Sequence, residues 1–248
     1  MAIGVTLRDS GEVLTDDVTT ASVTVATNSL VLVCMGCRDS VGSIPDGAQT
    51  RYGVSGLGFT WVRGVEYWYG GNRGAAIFYA MGTGTSGALT ITQTGTALGW
   101  NYAVIEITGA VTGANGANAI SNIVSNGILN NGGQPSITIT GTPTAGDVTL
   151  GFIQLQDAET GLTEDAGWTR IVQIIGTGEI SINVSYSTGQ DQSASWSGVR
   201  TDARACVALG ALIEAVTGGA APAPTQFEAV TVAEVIAPNL INMPRVFN

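Results

Sequence analysis

The chain has 248 residues, of which 44% are hydrophobic and only 11% charged, with 35 glycines and a formal net charge of −10. All nine basic residues are arginine and there is no histidine. That balance argues against a nucleic-acid or anionic-membrane partner, both of which need a basic footprint, and it removes the commonest general base and metal ligand.

The length allows one large all-β domain with a sizeable core. The N-terminus lacks a basic start followed by an apolar core, so no secretion signal is expected. No apolar run approaches the roughly 20 residues of a membrane span. The expected product is made in the cytoplasm and stays soluble or assembles there.

In chain order, Ile3, Val5 and Leu7 alternate with small or polar residues, as a half-buried strand does. Ser22-Val23-Thr24-Val25 alternates again. Leu30 to Met35 is continuously apolar, which predicts a central strand covered on both faces. Within it begins Cys34-Met-Gly-Cys37. A zinc site needs four ligands, which one further cysteine, Cys206, cannot complete. On a strand, positions three apart point to opposite faces, so buried free thiols are expected in preference to a redox pair. Arg38 to Tyr52 reads as a polar surface excursion with a turn at Pro45-Asp46-Gly47.

The stretch from Gly58 to Tyr79 organises the rest. Trp61 follows a glycine-containing turn, Tyr67, Trp68 and Tyr69 form an aromatic cluster, Gly70-Gly71-Asn72 breaks the pattern, and an apolar strand runs from Ala75 to Ala80. Leu89 to Thr92 and Tyr102 to Ile107 supply two more strands. Gly113 to Gly133, rich in Asn, Gly and Ala, reads as a connection. Its Ile120, Ile123, Val124 and Ile128 are spaced like one face of a short helix.

The same order then returns. Trp61 and Trp168 are 107 positions apart, and so are Tyr79 and Tyr186. Ser136 to Ile139 matches Ser22 to Val25, Asp147 to Leu155 matches Ser29 to Cys37, and Cys206 to Ala215 matches Tyr102 to Ile107. Ile180 to Tyr186 is the clearest alternating strand in the chain. A fixed offset implies a repeated unit. The expectation is an all-β, β-sandwich or jelly-roll-like domain over residues 1–217, internally pseudo-duplicated with halves at about 22–109 and 136–216. Each half offers about five strands, and packing one half's sheet on the other's would bury both apolar faces.

Residues 218–225 form a Gly/Ala/Pro linker. Residues 226–248 are too apolar for a solvated tail and carry Pro238 and Pro244, so they predict an extended arm that could reach about 75 Å. Phe227, Val230, Val232, Ile236, Leu240, Ile241, Val246 and Phe247 are its candidate partner-binding residues.

Three other groupings bear on chemistry. The acidic stretch Asp157 to Asp165 could ligate calcium but lacks regular acidic spacing, so a solvated turn is expected. Asp16-Asp17 and Glu66 offer carboxylates for a glycosidase pair, though nothing in the sequence brings them together. Trp68 and Trp100 are the best candidates for a sugar-stacking platform, because Trp61 and Trp168 recur in the repeat and look like core. Core packing is the stronger expectation for all four. No cofactor, metal site or catalytic residue is expected.

The run "GFTWVRGV" or "AGWTRIVQ", then "AAIFYAMGTG" or "ISINVSYSTG", then "WNYAVIEITGA", resembles the β-sandwich proteins of tailed bacteriophage virions over roughly Ser22 to Val216. The resemblance implies a non-enzymatic virion structural protein, assembled in the host cytoplasm. A capsid decoration (cement) protein fits first. It would act as a homo-oligomer such as a trimer and bind the major capsid protein or other virion proteins. A tail or fibre carbohydrate-binding adhesin is the alternative.

Overall fold

The computed structural model describes residues 3–14, 17–40, 42, 44–130, 134–156, 159, 161–177, 180–198 and 204–216. The linker and arm at 218–248 lie outside them. The described chain is nearly all strand, joined into several antiparallel sheets. Among these residues no helix is long and apolar enough to cross a membrane.

The first set of strands is β1 (Gly4–Val13), β2 (Asp17–Thr19), β3 (Val23–Val25), β4 (Leu30–Asp39), β5 (Gly47–Ala48), β6 (Tyr52–Gly56), β7 (Val62–Tyr69), β8 (Arg73–Met81), β9 (Thr85–Gly87), β10 (Leu89–Gln93) and β11 (Ala97–Thr108). A 3-10 turn at Ala114–Ala119 leads into the second set. This comprises β12 (Ile120–Asn130), β13 (Ser136–Thr138), β14 (Val148–Gln156), β15 (Thr163–Glu164), β16 (Thr169–Ile175), β17 (Ile180–Ser187), β18 (Ser193–Ser197) and β19 (Arg204–Ile213).

Each set forms a larger and a smaller sheet. The first gives β1-β11-β4-β8-β7-β5 and β2-β10-β6, with β3 and β9 as a separate pair. The second gives β12-β19-β14-β17-β16 and β13-β18-β15. With β3, β5 and β9 set aside, both sets have the same strand order by position in the chain: 1-8-3-6-5 in the larger sheet and 2-7-4 in the smaller. The expectation of one sheet per half is therefore corrected. A three-stranded sheet closes the outer face of each larger one.

The core falls into three clusters, and β4 shows why. Leu30, Leu32 and Cys34 point one way and pack with Leu150, Phe152, Val184 and Leu209 of the second set. Val31, Val33, Met35 and Cys37 point the other way and pack with Leu89 and Ile91 of the smaller sheet. A third cluster, around Ile153, Trp196 and Ile137, fills the corresponding space in the second set. The layers thus run small, large, large, small. The continuous apolar run in β4 is the signature of a strand buried on both faces.

Most contacts between the two larger sheets come in exchanged pairs, the contact of β7 with β19 being the exception. β7 meets β12 as β16 meets β1, β8 meets β19 as β17 meets β11, and β8 meets β14 as β17 meets β4. β4 meets β14, its own counterpart. Just past the ends of β11 and β19, Ala110 and Ala215 form an antiparallel bridge.

The segment read as a connection with helical spacing is instead largely β12. Ile123 packs into the central cluster while Val124 packs into the outer one. Adjacent residues on opposite faces are strand geometry. The irregular register between Ile120 and Asn122 offsets the alternation and leaves the helix-like spacing. The excursion Arg38 to Tyr52 is also less superficial than expected. Ile44 and Asp39 are buried, and Gly47 and Ala48 pair with Trp68 and Tyr67.

Candidate functional site

The most concentrated chemistry in the described chain is a set of buried carboxylates with arginine and tryptophan partners. Its centre in the first set is Glu66 on β7. One carboxylate oxygen accepts from the Arg51 main-chain N–H at 2.6 Å and from Trp68 Nε1 at 3.0 Å. The other accepts from the Tyr52 N–H at 3.2 Å and lies 3.3 Å from Arg63 Nε. Glu66 thereby ties the start of β6 to the middle of β7.

Asp39, at the end of β4, is fully buried and accepts from Arg51 at 2.6 Å and from Gln93 Nε2 at 3.0 Å. The Arg51 guanidinium stands 5.2 Å over the Trp68 ring, on which Tyr52 is stacked at 5.7 Å. Arginine suits this position because its planar head serves a carboxylate and an aromatic face together.

The second set has its own version. Glu164 on β15 accepts from Arg170 Nε at 2.6 Å and from Asn183 Nδ2 at 2.6 Å. Asn183 in turn accepts from Trp196 Nε1 at 3.0 Å. Burial alone would raise the Glu164 pKa, but Arg170 and Asn183 outweigh it and hold the carboxyl below its usual range.

Glu106, on β11, is fully buried as well. It takes the Ala26 N–H at 2.6 Å and a two-point contact from Arg8. Burial again pushes upward, and Ala26, Ser29 and Arg8 together bring the pKa below the ordinary value. In each case the carboxylate faces main-chain N–H or guanidinium groups. Such an arrangement orders loops and joins strands.

Cys34 and Cys37 are both buried and free, and they belong to different core clusters, as strand alternation requires. Burial raises the Cys34 thiol strongly and pushes Cys37 up to about 12, the opposite of what a reactive thiol needs. Cys206 is likewise free, buried and raised by burial to about 12.

Trp68 and Trp100 are fully buried, as the core expectation has them, so neither offers a stacking platform. The repeated pair, Trp61 and Trp168, is only half-buried and packs on the margins of two different clusters.

The acidic stretch is not a solvated turn throughout. Glu159 is buried and its N–H donates to Ser181 Oγ, while Leu162 is core. Among the described residues no three acidic or thiol side chains gather as a metal site. Glu66 is enclosed in its own network, whereas Asp17 is exposed on β2, and Asp16 and Asp157 lie outside the described residues. So do Phe227, Val230, Val232, Ile236, Leu240, Ile241, Val246 and Phe247.

Reading the sequence singled out neither Asp39 nor Glu106. A signal for the networks existed: Arg63 and Arg170 stand at the 107-residue offset, each on the strand after the repeated tryptophan. No family model, curated protein or solved structure matches this chain.

Proposed function

We propose that this chain is a duplicated jelly-roll scaffold that works by adhesion within a bacteriophage virion, most simply as a capsid decoration protein bound to the assembled shell. The duplication rests on shared strand order, on the exchanged contacts, and on the Ala110–Ala215 bridge, where counterpart residues meet across what would be a local two-fold axis. In each half the first strand pairs with the eighth, the second with the seventh and the third with the sixth, as in a jelly roll.

One observation carries the adhesive reading. The buried carboxylates Asp39, Glu66, Glu106 and Asp147 all accept from main-chain or side-chain donors that hold the sheets together. The chemistry inside this fold serves its construction. What remains for a partner is the surface of an acidic protein and the apolar segment 226–248.

The test is a deletion of 227–248. The shortened chain is expected to keep the melting transition of the full protein but to lose occupancy on purified shells. Full occupancy would reject the role of the segment. Failure of the full-length protein to bind shells at all would reject the decoration role.

A second reading, a glycan-binding tail or fibre module, is favoured by Trp61 and Trp168. Both are partly exposed at equivalent positions, and aromatic faces stack on sugars. A glycan array with the Trp61→Ala/Trp168→Ala variant as control distinguishes it.

A further inference from the structure

The two larger sheets meet through counterpart rows of residues. Glu12, Asn101, Gly36 and Ala75 lie side by side across β1, β11, β4 and β8. Gly127, Val207, Gln154 and Ile182 lie side by side across β12, β19, β14 and β17. At the next strand the rows reach Tyr67 on β7 and Ile174 on β16, and Tyr69 and Gly176 lie two residues further along. Tyr69 and Gly176 are again 107 positions apart.

Where these rows touch, small meets large. A Cβ on Gly36 would lie 2.6 Å from Gln154 Cγ and 2.9 Å from its Cβ. A Cβ on Gly127 would lie 2.5 Å from Tyr69 Cγ. At the counterpart contact, a Cβ on Gly176 would lie 2.9 Å from Glu12 Oε1. In the first two cases the crowded atoms sit near the root of the side chain, so they cannot swing aside.

The roles alternate between halves. The first half supplies Gly36, Tyr69 and Glu12, and the second supplies Gln154, Gly127 and Gly176. We infer that these three contacts form a size code, so that each half's inner face fits the other half and neither fits its own copy.

The argument is geometric and rests on the duplicated reading above. If two first halves paired, Gly36 would face Gly36 and leave a void, while Tyr69 would meet Glu12 twice. If two second halves paired, Gln154 would collide with Gln154, while Gly127 would face Gly176 across empty space. Voids and overpacking are both costly in a close-packed interior. The code directs association to unlike halves, whether within one chain or exchanged between two.

Two mutant cycles in the full chain test this. Gly36→Ala is expected to lower the melting temperature by about 3–10 °C, the range overpacking gives for a chain of this size. In a Gln154→Gly background, which removes both the Cγ and the Cβ that the new methyl would strike, the same change is expected to cost less than half as much. Gly127→Ala should behave likewise with and without Tyr69→Gly.

If Gly36→Ala prevents soluble expression, recovery of soluble protein in the Gln154→Gly background is the supporting result. Equal loss in both backgrounds, or insolubility in both, overturns the code. That outcome leaves the shared strand order intact. The duplicated reading falls instead to a determined structure in which the larger sheets are not related by a two-fold.

Discussion

At the scale of single residues, Glu66 shows how one side chain can hold two sheets together. Its two oxygens take main-chain N–H groups from Arg51 and Tyr52 and the indole of Trp68, and Arg63 balances its charge. Removing the carboxylate would strand those donors where water cannot reach. Breaking a buried pair of this kind costs about 3–5 kcal/mol. Glu66→Ala is therefore expected to lose that much in urea unfolding, and a loss under about 1 kcal/mol would contradict the buried network. Glu66 was legible only as a possible acid, since its two main-chain donors, Arg51 and Tyr52, come from the start of β6 and the turn before it. Trp100 is core, as expected, although no tryptophan repeats it. Trp100 pairs with Cys37, and in the second set Cys206 pairs with Leu155. Each set of strands places its bulk on a different member of the pair, so a residue with no tryptophan at the matching offset can still be central core.

At the scale of elements, the clearest shared feature is an irregularity. The pairing of β7 with β8 slips between Arg63 and Val65, and that of β16 with β17 slips between Arg170 and Val172. Both slips fall at the 107-residue offset. A bulge re-aims the side chains beside it, and here each arginine reaches the neighbouring smaller-sheet segment. Arg63 donates to the Tyr52 carbonyl at 2.6 Å, and Arg170 donates to the Leu162 carbonyl and to Glu164. Arg170→Ala is expected to cost about 1–3 kcal/mol in chemical denaturation, the range for hydrogen bonds to charged groups. Arg170→Lys should recover little, because one ammonium cannot copy the fork. Full recovery with lysine would mean that charge alone matters. The central strands were readable because burial on both faces leaves an unbroken apolar run. β12 was not, because its Asn and Gly are poor strand formers and only its ladder with β19 makes it one.

At the scale of the whole molecule, pH should act through a few buried groups as well as through the net charge of −10. Glu106 and Glu164 have folded pKa values below the ordinary 4.5. The unfolded chain then takes up their protons at a higher pH than the folded one. Their stabilisation is present above about pH 4.5 and is lost as pH falls through the folded values. On the alkaline side the sign reverses in pH. Burial raises Cys37 and Cys206 to about 12, and burial with Asp9 raises Tyr102 to about 12. Their contribution is complete below the unfolded thiol and phenol values, near 9 and 10, and fades as pH climbs toward 12. The melting temperature should therefore be flat across neutral pH and fall at both extremes. Glu106→Gln should lower the neutral plateau, because Arg8 loses its charge partner, and should make the acid limb shallower. An acid limb as steep in Glu106→Gln as in the parent would mean that the acid sensitivity arises elsewhere. The same limb overlaps the isoelectric point near 4.2, where self-repulsion vanishes. Scattering must be followed alongside unfolding there, since a protein precipitating at zero charge and one losing its Glu106 contact would otherwise give the same curve.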